Sequence, residues 1–386
     1  MNENFCNFLM TADEKWPTPC HIIDWDRLSE NLAQAEKLRD MSGCKILLAV
    51  KGFSSPYIIE KMKGFLDGIS ASGLFEAIFA KKLSFEFIQT YSPAFREQDI
   101  DEIIENSNYI VFNSERQLEK YSGRAKAAGL LCGIRINPLF SSIVKEDVNP
   151  ATEQSRLGIN IKKIDKSLLQ KVNGIHIHSM CEQHADALEV LVEFLIRELG
   201  EAIDSAGTIK WINLGGGQMI GSKNYDLARA AKAVNRLKER FDVEVIIEPC
   251  EGIVTESGYF MTTVCDIVEN SIPSVIMDAS PVCHMQDAIF RGWTRDVIGE
   301  CAVGEKGYKY YFSGPTCFAG DSFGIYEMRN KLVEGDKLVF VDTAAYTMVK
   351  NSTFNGMPLP TLCIWSQSEG LRIVHQYDYS SYGNNI

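Results

Sequence analysis

The sequence predicts an α/β protein in which a (β/α)8 barrel of the TIM type is followed by a mostly β domain. Three observations lead to this fold class. Eight short apolar runs recur through the first two thirds of the chain, helical patterns separate them, and closely spaced strand patterns follow after about residue 264. Strands that alternate with helices indicate a parallel sheet, and eight such units in about 250 residues are typical of a barrel.

The barrel strands are predicted at the apolar runs themselves, which are rich in β-branched residues. These runs are 45–50, 68–71, 87–91, 109–112, 131–136, 174–178, 211–214 and 243–247. Between them, apolar residues return at spacings of three and four, for example over 26–39 and 185–199. That spacing predicts helices that cover the outside of the barrel.

The last third of the chain has a different pattern. Segments 308–312, 337–342 and 371–374 resemble strands separated by Gly, Pro and Asp turns, without a long helical pattern. We therefore place the barrel domain at 24–264 and the C-terminal β domain at 265–386. We expect the opening segment 1–23 to join the β domain, with a strand near 18–23.

Composition excludes several classes of protein. The 386 residues include no apolar run long enough to cross a bilayer, and the first residues lack the pattern of a secretory signal. A net charge of −12 argues against nucleic acid as a partner and suits a cationic substrate. Eleven cysteines without a C-x-x-C pair indicate reduced thiols, so we expect a cytoplasmic protein without a membrane partner.

Side chains suited to catalysis cluster near the carboxyl ends of the predicted strands, where barrel enzymes keep their active sites. The cluster consists of Lys51, Glu76, Arg135, His178, Gly215, Gly216, Gly217 and Glu248. Lys51 directly follows a buried run, so its amine is a candidate to form a Schiff base. The alternative is a lysine that only marks where a strand reaches solvent.

The residues after the last two strands indicate a cofactor. Three consecutive glycines follow the seventh strand, where barrels often hold a phosphate group through backbone amides. Glu248 follows the eighth strand and is a candidate partner for the protonated pyridine nitrogen of pyridoxal phosphate (PLP). The alternatives are a flexible loop and a glutamate at the barrel rim.

A pair of histidines on the sixth strand supports a rival hypothesis. His176 and His178 lie on the same face of that strand, and such pairs bind zinc in barrel hydrolases. Only four other histidines exist, and none lies at a predicted barrel strand end, so a complete ligand set is hard to assemble. We therefore predict no metal site and assign His178 to stacking on a cofactor ring, with His176 structural.

The predicted β domain contains a further group of candidate residues. Cys317 follows Gly314 and Pro315 and precedes Asp321, a pattern that suggests a shaped loop presenting the thiol. Tyr346 lies farther along, before the segment 352–356. A buried, inert cysteine is the alternative.

With these residues in place, the chain resembles the fold-type III PLP-dependent decarboxylases over nearly its whole length. That group has the alanine-racemase-like barrel and β domain and includes ornithine and diaminopimelate decarboxylases. Within it, the chain is most similar to the branch that decarboxylates carboxynorspermidine and carboxyspermidine. The segments that carry the resemblance are 49–53 (AVKGF), 91–95 (YSPAF), 155–158 (SRLG), His178 with 181–182 (CE), and 348–350 (MVK) leading to 354–356 (FNG).

The resemblance implies a role for each candidate residue. Lys51 would carry PLP as a Schiff base, His178 would stack on its ring and Glu248 would pair with its nitrogen. The phosphate would be held by Gly215, Gly216, Gly217 and Tyr346, while Arg135 and Glu76 would lie beside the cofactor. Cys317 would reach the site of the partner subunit and protonate the carbanion, which implies a homodimer with shared active sites.

The resemblance also implies a substrate, a cationic triamine that carries a carboxylate. Candidate contacts are Glu182, His284, Asp287 and Asp321. Glu251 replaces the phosphate-binding arginine of ornithine and diaminopimelate decarboxylases, which favours the carboxynorspermidine branch. Cys250 replaces the usual glycine, and the loop 278–287 differs from other members of the branch. A diaminopimelate or other basic amino-acid decarboxylase is the nearest alternative, and a zinc hydrolase is a remote one.

Overall fold

A computed structural model of the chain contains two compact units, each built on its own sheet. The described residues are 5, 9, 16–143, 148–292 and 294–383. The barrel unit is Glu30–Ile253, and the β unit combines Met1–Ser29 with Val254–Ile386. Within the predicted segment 1–23, the residues before 16 lie outside the described residues, except for 5 and 9. The predicted domain boundaries stay predictions.

The first strand in the chain, β1 (Cys20–Asp24), belongs to the sheet of the β unit. The strands of the barrel unit come after it. They are β2 (Lys45–Ala49), β3 (Gly68–Ala71), β4 (Ile88–Tyr91), β5 (Tyr109–Phe112), β6 (Leu131–Asn137), β7 (Ile159–Asn160), β8 (Gly174–His176), β9 (Trp211–Asn213) and β10 (Glu244–Ile247). All of these except β7 form one closed ring of parallel strands, because β10 pairs with β2 and β5 pairs with β6. The predicted (β/α)8 barrel is confirmed.

Helices separate most of these strands, as the apolar spacing predicted. They are α1 (Trp25–Ser42), α2 (Pro56–Met62), α3 (Leu74–Lys82), α4 (Ile100–Glu105), α5 (Glu115–Ala127), α6 (Lys166–Leu169), α7 (Ala185–Ala206), α8 (Leu227–Phe241) and α9 (Glu251–Val254), with 3-10 turns at Lys63–Phe65 and Ile161–Lys163. Side chains of Ser114 and Asp226 accept a backbone N–H at the starts of α5 and α8. These caps satisfy amides that a helix start otherwise leaves without a partner.

The inside of the barrel is filled around one large side chain. Trp211 packs in a buried cluster with Leu47 and Ile246, which come from two other strands of the ring. Gly133 on β6 and Gly174 on β8 lie against its indole, where an added Cβ would overlap ring atoms. Glycine at both positions therefore makes room for the tryptophan.

The β unit is mostly β-structure with short helices, as predicted. It consists of β1, β11 (Gly258–Val268), β12 (Ser274–Met277), β13 (Tyr308–Ser313), β14 (Ser322–Met328), β15 (Lys337–Val341), β16 (Thr361–Ser366), β17 (Gly370–His375), α10 (Pro281–His284), α11 (Gln286–Arg291), α12 (Tyr379–Gly383), and 3-10 turns at Met348–Lys350 and Phe354–Gly356. The strand order is β14-β13-β12-β11-β1-β16-β17, and β15 also pairs with β11. The opening strand β1 thus lies in this sheet, antiparallel to β11 and parallel to β16. Across the described residues, we find no helix with the length and apolar character needed to span a bilayer.

Candidate active site

Glu248 is the best-supported side chain at the carboxyl end of the barrel. It follows β10 directly and is 7% exposed. Its Oε1 accepts hydrogen bonds from Gln89 Nε2 on β4 and from Asn213 Nδ2 on β9, both at 2.7 Å. Among the described residues, its Oε2 is approached by His176 Nε2 at 3.6 Å. Two amides therefore fix the carboxylate through one oxygen and leave the other less occupied.

The charge of Glu248 is preserved despite burial. Burial disfavours the ionised form, but the interactions with His176, His178 and Lys51 together outweigh it and lower the pKa of Glu248 to about 2. Burial also lowers the pKa of His176, against the opposing effect of Glu248. At neutral pH the site thus holds an ionised carboxylate beside a neutral imidazole.

His178 is fixed in one tautomer by the glycine loop. The backbone N–H of Gly216 donates to His178 Nδ1 at 2.9 Å, so the ring proton lies on Nε2. Burial, followed by the positive charge of Lys51, lowers the pKa of His178 well below its usual range. A neutral ring with a fixed orientation is suited to stacking on a flat cofactor.

The three glycines are required by their backbone conformation and packing. Gly215 and Gly217 have φ values of 66° and 97°, which disfavour other residues. An added Cβ at Gly215 would overlap the His178 ring, and one at Gly216 would overlap the backbone oxygen of Glu248. The loop therefore brings main-chain atoms close to the His178 ring and to the backbone of Glu248.

Arg135 lies within β6, as it did in the predicted run 131–136. Its guanidinium carbon is 4.6 Å from the centre of the Tyr91 ring, and its Nη2 is 3.5 Å from the backbone oxygen of His178. The Tyr91 hydroxyl in turn donates to Asn113 Oδ1 at 2.8 Å. The buried cation is thus held beside the same histidine that the glycine loop contacts.

Lys51 and Glu76 follow neighbouring strands of the ring. Lys51 is exposed in the turn after β2, which a hydrogen bond from Gly52 N to Ala49 O closes at 3.1 Å. Glu76 lies in the first turn of α3 and accepts a hydrogen bond from Ser72 N at 2.6 Å. Burial, followed by the negative charge of Glu251, raises the pKa of Cys250 to about 12, while the charge of Lys51 acts to lower it and that of Glu76 to raise it. The side chains of Lys51, Glu76 and Cys250 therefore belong to one electrostatic environment.

These barrel residues fit PLP. The site offers an amine, a neutral imidazole with a set orientation, an ionised carboxylate with one less occupied oxygen, and a loop of three glycines whose backbone no side chain covers. In addition, the buried Nε of Arg135 has no hydrogen-bond partner among the described residues, which is consistent with a bound group completing the site. Among these residues, no group of three or more His, Cys, Asp or Glu side chains is arranged to hold a metal ion.

In the β unit, Cys317 is exposed on the loop between β13 and β14. Asp321, in contrast, is 4% exposed and uses both carboxylate oxygens within its own unit. Its Oδ1 accepts from Ser280 Oγ at 2.6 Å, and its Oδ2 accepts from Thr316 Oγ1 at 2.7 Å. This arrangement favours a structural role for Asp321 over the predicted substrate contact.

His284 is also enclosed by the β unit. Its Nδ1 accepts from Ser280 N at 3.2 Å, and its Nε2 lies 3.0 Å from the backbone oxygen of Pro358, to which it donates. Burial lowers the pKa of this imidazole to about 4. Both ring nitrogens are therefore used for support, and a substrate contact stays a prediction.

The remaining predicted residues differ in how they are held. Asp287 receives Lys350 Nζ at 2.7 Å on each oxygen, and the same ammonium lies 5.3 Å from the centre of the Tyr346 ring. Tyr346 has a φ of 60°. Glu182 is exposed in the loop before α7 and has a φ of 51°.

Gln89 and Asn213 were missed by the sequence reasoning. They hold the Glu248 carboxylate but belong to no motif, since they lie 159 and 35 residues from it. The available signal was an amide side chain inside an otherwise apolar strand, in the runs 87–91 and 211–214. A buried amide needs a partner, and the barrel interior supplies one.

The chain has several relatives that match over most of its length, although no protein-family model matches it. A carboxynorspermidine/carboxyspermidine decarboxylase of Campylobacter jejuni is 37% identical over 96% of this chain and 98% of the relative. A carboxyaminopropylagmatine decarboxylase of Synechocystis is 31% identical over 96% of this chain and 95% of the relative.

Solved structures support the same relationship. The crystal structure of carboxynorspermidine decarboxylase from C. jejuni, complexed with norspermidine, matches with a TM-score of 0.87 at 34% identity, covering 96% of this chain and 100% of that one. Diaminopimelate decarboxylase from Helicobacter pylori matches with a TM-score of 0.81 at 17% identity, covering 97% and 98%, and shows the shared fold. The chain belongs to the carboxynorspermidine/carboxyspermidine decarboxylase family and is a carboxy-lyase.

Proposed function

We propose that this enzyme uses PLP to decarboxylate carboxynorspermidine and carboxyspermidine, giving norspermidine or spermidine and CO2. The observation that carries the proposal is Glu248, a buried carboxylate that stays ionised beside the neutral, fixed ring of His178. Glu248 would pair with the protonated pyridine nitrogen, and His178 would pack on the face of the ring. Fold-type III decarboxylases are generally PLP-dependent, which supports the assignment.

The barrel residues divide the task of holding the cofactor. Lys51 would bind it covalently, Glu248 would accept the N–H of its ring, and His178 would pack on the ring face. Gly215, Gly216 and Gly217 would contact the phosphate together with Tyr346, while Arg135 and Glu76 would lie next to the ring. When bound, PLP accepts the electron pair that is left when the bond from Cα to the carboxylate breaks.

The residues of the chain also control the protons. Glu248 keeps its negative charge at neutral pH, so it favours a proton on the ring nitrogen. Cys317 would deliver a proton to the Cα atom of the product. Its exposure on a loop of the β unit supports a role in the site of a second subunit, so we propose a homodimer with shared sites.

Acidic side chains would recognise the cationic substrate. Of the predicted contacts, Glu182 is the better candidate, because Asp287, Asp321 and His284 already bind partners within the β unit. A net charge of −12 also favours the approach of a polycation. We further propose a cytoplasmic location, which the free cysteines of the described residues support.

The test combines a spectrum with product analysis. The purified protein loaded with PLP should show a visible absorbance band that Lys51→Ala removes and that Lys45→Ala, a control on the strand before Lys51, retains. CO2 release from carboxynorspermidine and carboxyspermidine should depend on Lys51. A protein that forms the band but releases CO2 from neither triamine would contradict the proposed substrate and leave the fold assignment intact.

Carboxyaminopropylagmatine is a second candidate substrate, because a relative with 31% identity over 96% of this chain is named for acting on it. This compound ends in a guanidinium, whereas the two triamines end in an ammonium. Specificity is a ratio of kcat/KM values, so all three substrates should be compared at equal pH and salt. A higher kcat/KM for the guanidinium compound would favour the second candidate, and diaminopimelate serves as the distant comparison.

A further inference from the structure

The loop that carries Cys317 is closed by one buried carboxylate. Residues 314–321 connect β13 to β14, and Asp321 stands at the end of this loop. Its Oδ2 accepts from both Thr316 N at 3.1 Å and Thr316 Oγ1 at 2.7 Å. Asp321 therefore holds the residue that directly precedes Cys317.

A second segment holds the same carboxylate from the other side. Ser280 lies in the connection from β12 to α10 and is fully buried. Its hydroxyl donates to Asp321 Oδ1 at 2.6 Å, and Val282 N approaches that oxygen at 3.4 Å. The loop with Cys317 is thus tied to a segment 41 residues away along the chain.

Packing restricts this arrangement further. An added Cβ at Gly314 would overlap the Asp321 carboxylate and crowd the Cα atom of Ser280. Ser280 is held in turn, because its backbone N–H donates to His284 Nδ1 at 3.2 Å. His284 also bonds to the backbone oxygen of Pro358 at 3.0 Å. The support of the loop therefore extends from its first residue to the core of the unit.

We propose that Ser280, Thr316 and Asp321, here called the Asp321 network, are positioning residues that fix the loop 314–321 so that Cys317 is aimed at its target. The proposal rests on the proposed function of Cys317 as a proton donor. None of the three residues touches the reacting atoms in this role. They act by limiting the positions that the exposed thiol adopts.

The network differs from a substrate-binding carboxylate in a testable way. Cys317 would act after the substrate has bound, so loosening its loop lowers kcat and leaves KM nearly unchanged. Loss of a carboxylate that binds a substrate ammonium raises KM instead. Small displacements of a reacting group cost up to about 100-fold in rate, so the effect on kcat is measurable.

The experiment uses the PLP-loaded enzyme and a matched set of variants. Thr316→Val removes the donor hydroxyl at constant volume, and Thr316→Ser keeps the hydroxyl. Thr208→Val removes a hydroxyl that donates to Leu169 O at 2.8 Å in the barrel unit, so it controls for the loss of any such bond. Ser280→Ala breaks the network at its other end, with thermal unfolding used to verify folding.

Two quantities are measured for each variant. The first is kcat and KM for CO2 release from carboxynorspermidine. The second is the rate at which iodoacetamide alkylates Cys317, determined by mass spectrometry relative to the exposed Cys265 in the same molecule. The second readout does not depend on turnover.

Thr316→Val and Ser280→Ala should each lower kcat by about 10- to 100-fold with KM within about twofold, and both should change the alkylation ratio of Cys317 to Cys265. Thr316→Ser and Thr208→Val should resemble the wild type. Unchanged kcat or an unchanged alkylation ratio in folded Thr316→Val overturns the proposal, as does an Asp321→Glu variant that raises KM alone. If the wild type releases no CO2, the proposed function is wrong. Independently of that result, an unchanged alkylation ratio of Cys317 to Cys265 in Thr316→Val overturns the proposed role of the Asp321 network.

Discussion

The two units each contain a nearly buried carboxylate, and the two groups are used in different ways. Glu248 in the barrel unit receives both of its amide hydrogen bonds on Oε1, and only His176, at 3.6 Å, approaches Oε2 among the described residues. Asp321 in the β unit receives hydrogen bonds on both oxygens. Exposure does not separate them, since it is 7% for Glu248 and 4% for Asp321.

The distribution of hydrogen bonds, rather than burial, separates the two proposed roles, which are ligand binding for Glu248 and loop support for Asp321. A carboxylate that is fixed by one oxygen keeps its other oxygen for an incoming cation or N–H group. A carboxylate that is bonded on both sides has completed its contacts within the fold. Substitutions at the two sites should therefore affect different properties.

The largest effect is expected for Glu248→Gln. The amide keeps the shape of the side chain but has no negative charge to favour a proton on the cofactor nitrogen. We expect kcat/KM for CO2 release to fall by about 100- to 1000-fold, the range seen when one preorganised electrostatic group is lost. Steady-state kinetics and the absorbance spectrum measure this, and a loss below about tenfold would contradict the assigned role.

Protonation of His284 should make the unfolding free energy depend on pH. The pKa of His284 is lowered to about 4, below the usual 6.5, so the folded protein binds this proton less well than the unfolded chain. Its stabilising contribution is complete above pH 6.5 and is lost as the pH falls from 6.5 to 4, by up to about 3 kcal/mol. Urea unfolding at several pH values tests this.

His284→Gln is the control for this prediction, because glutamine offers both an acceptor and a donor but does not titrate. Its unfolding free energy should depend less on pH between 6.5 and 4 than that of the wild type. Equal slopes for the two proteins would show that another group causes the acid sensitivity.

A smaller effect on stability is expected for Asp321→Asn. The amide has one acceptor oxygen, so it cannot accept hydrogen bonds from Thr316 on one side and from Ser280 on the other, as the carboxylate does. We expect the unfolding free energy to fall by about 1–3 kcal/mol, the cost of leaving a buried polar group unsatisfied. Urea unfolding measures the change, and an unaltered midpoint would contradict the structural role that distinguishes Asp321 from Glu248.

The smallest change in stability is expected for Asp287→Asn. Asp287 pairs with Lys350, and both side chains are partly exposed, at 22% and 34%. Such a pair contributes about 0–1 kcal/mol, so the unfolding midpoint should move little. The same variant tests the predicted substrate contact, because an unchanged kcat/KM for both triamines would remove Asp287 from the binding site.

Much of the fold was readable from the sequence, because barrel strands are buried on both faces and appear as continuous apolar runs. Observed strands such as Ile88–Tyr91 and Gly174–His176 begin and end within two residues of the predicted runs. The β unit was predicted in outline only. Strands such as β14 (Ser322–Met328) and β16 (Thr361–Ser366) were not identified in advance.

The sequence placed Lys51 and Glu248 just after barrel strands, and the structure has them there, while their roles stay predictions. Contacts between residues that are distant in sequence could not be predicted. The pairing of Asp287 with Lys350 spans 63 residues, and no local pattern encodes it. The hydrogen bond from Ser280 to Asp321 spans 41 residues and could not be predicted for the same reason, and the substrate contact of Asp321 stays a prediction.

The indole of Trp211 gives three positions of the barrel a shared evolutionary constraint. Gly133 and Gly174 have no side chain because that ring occupies the space beside them. An added Cβ at either position overlaps the indole, and a smaller residue at 211 would remove those overlaps. Substitutions at these positions are therefore epistatic, and a lineage that replaces the tryptophan first opens routes that are closed to this chain.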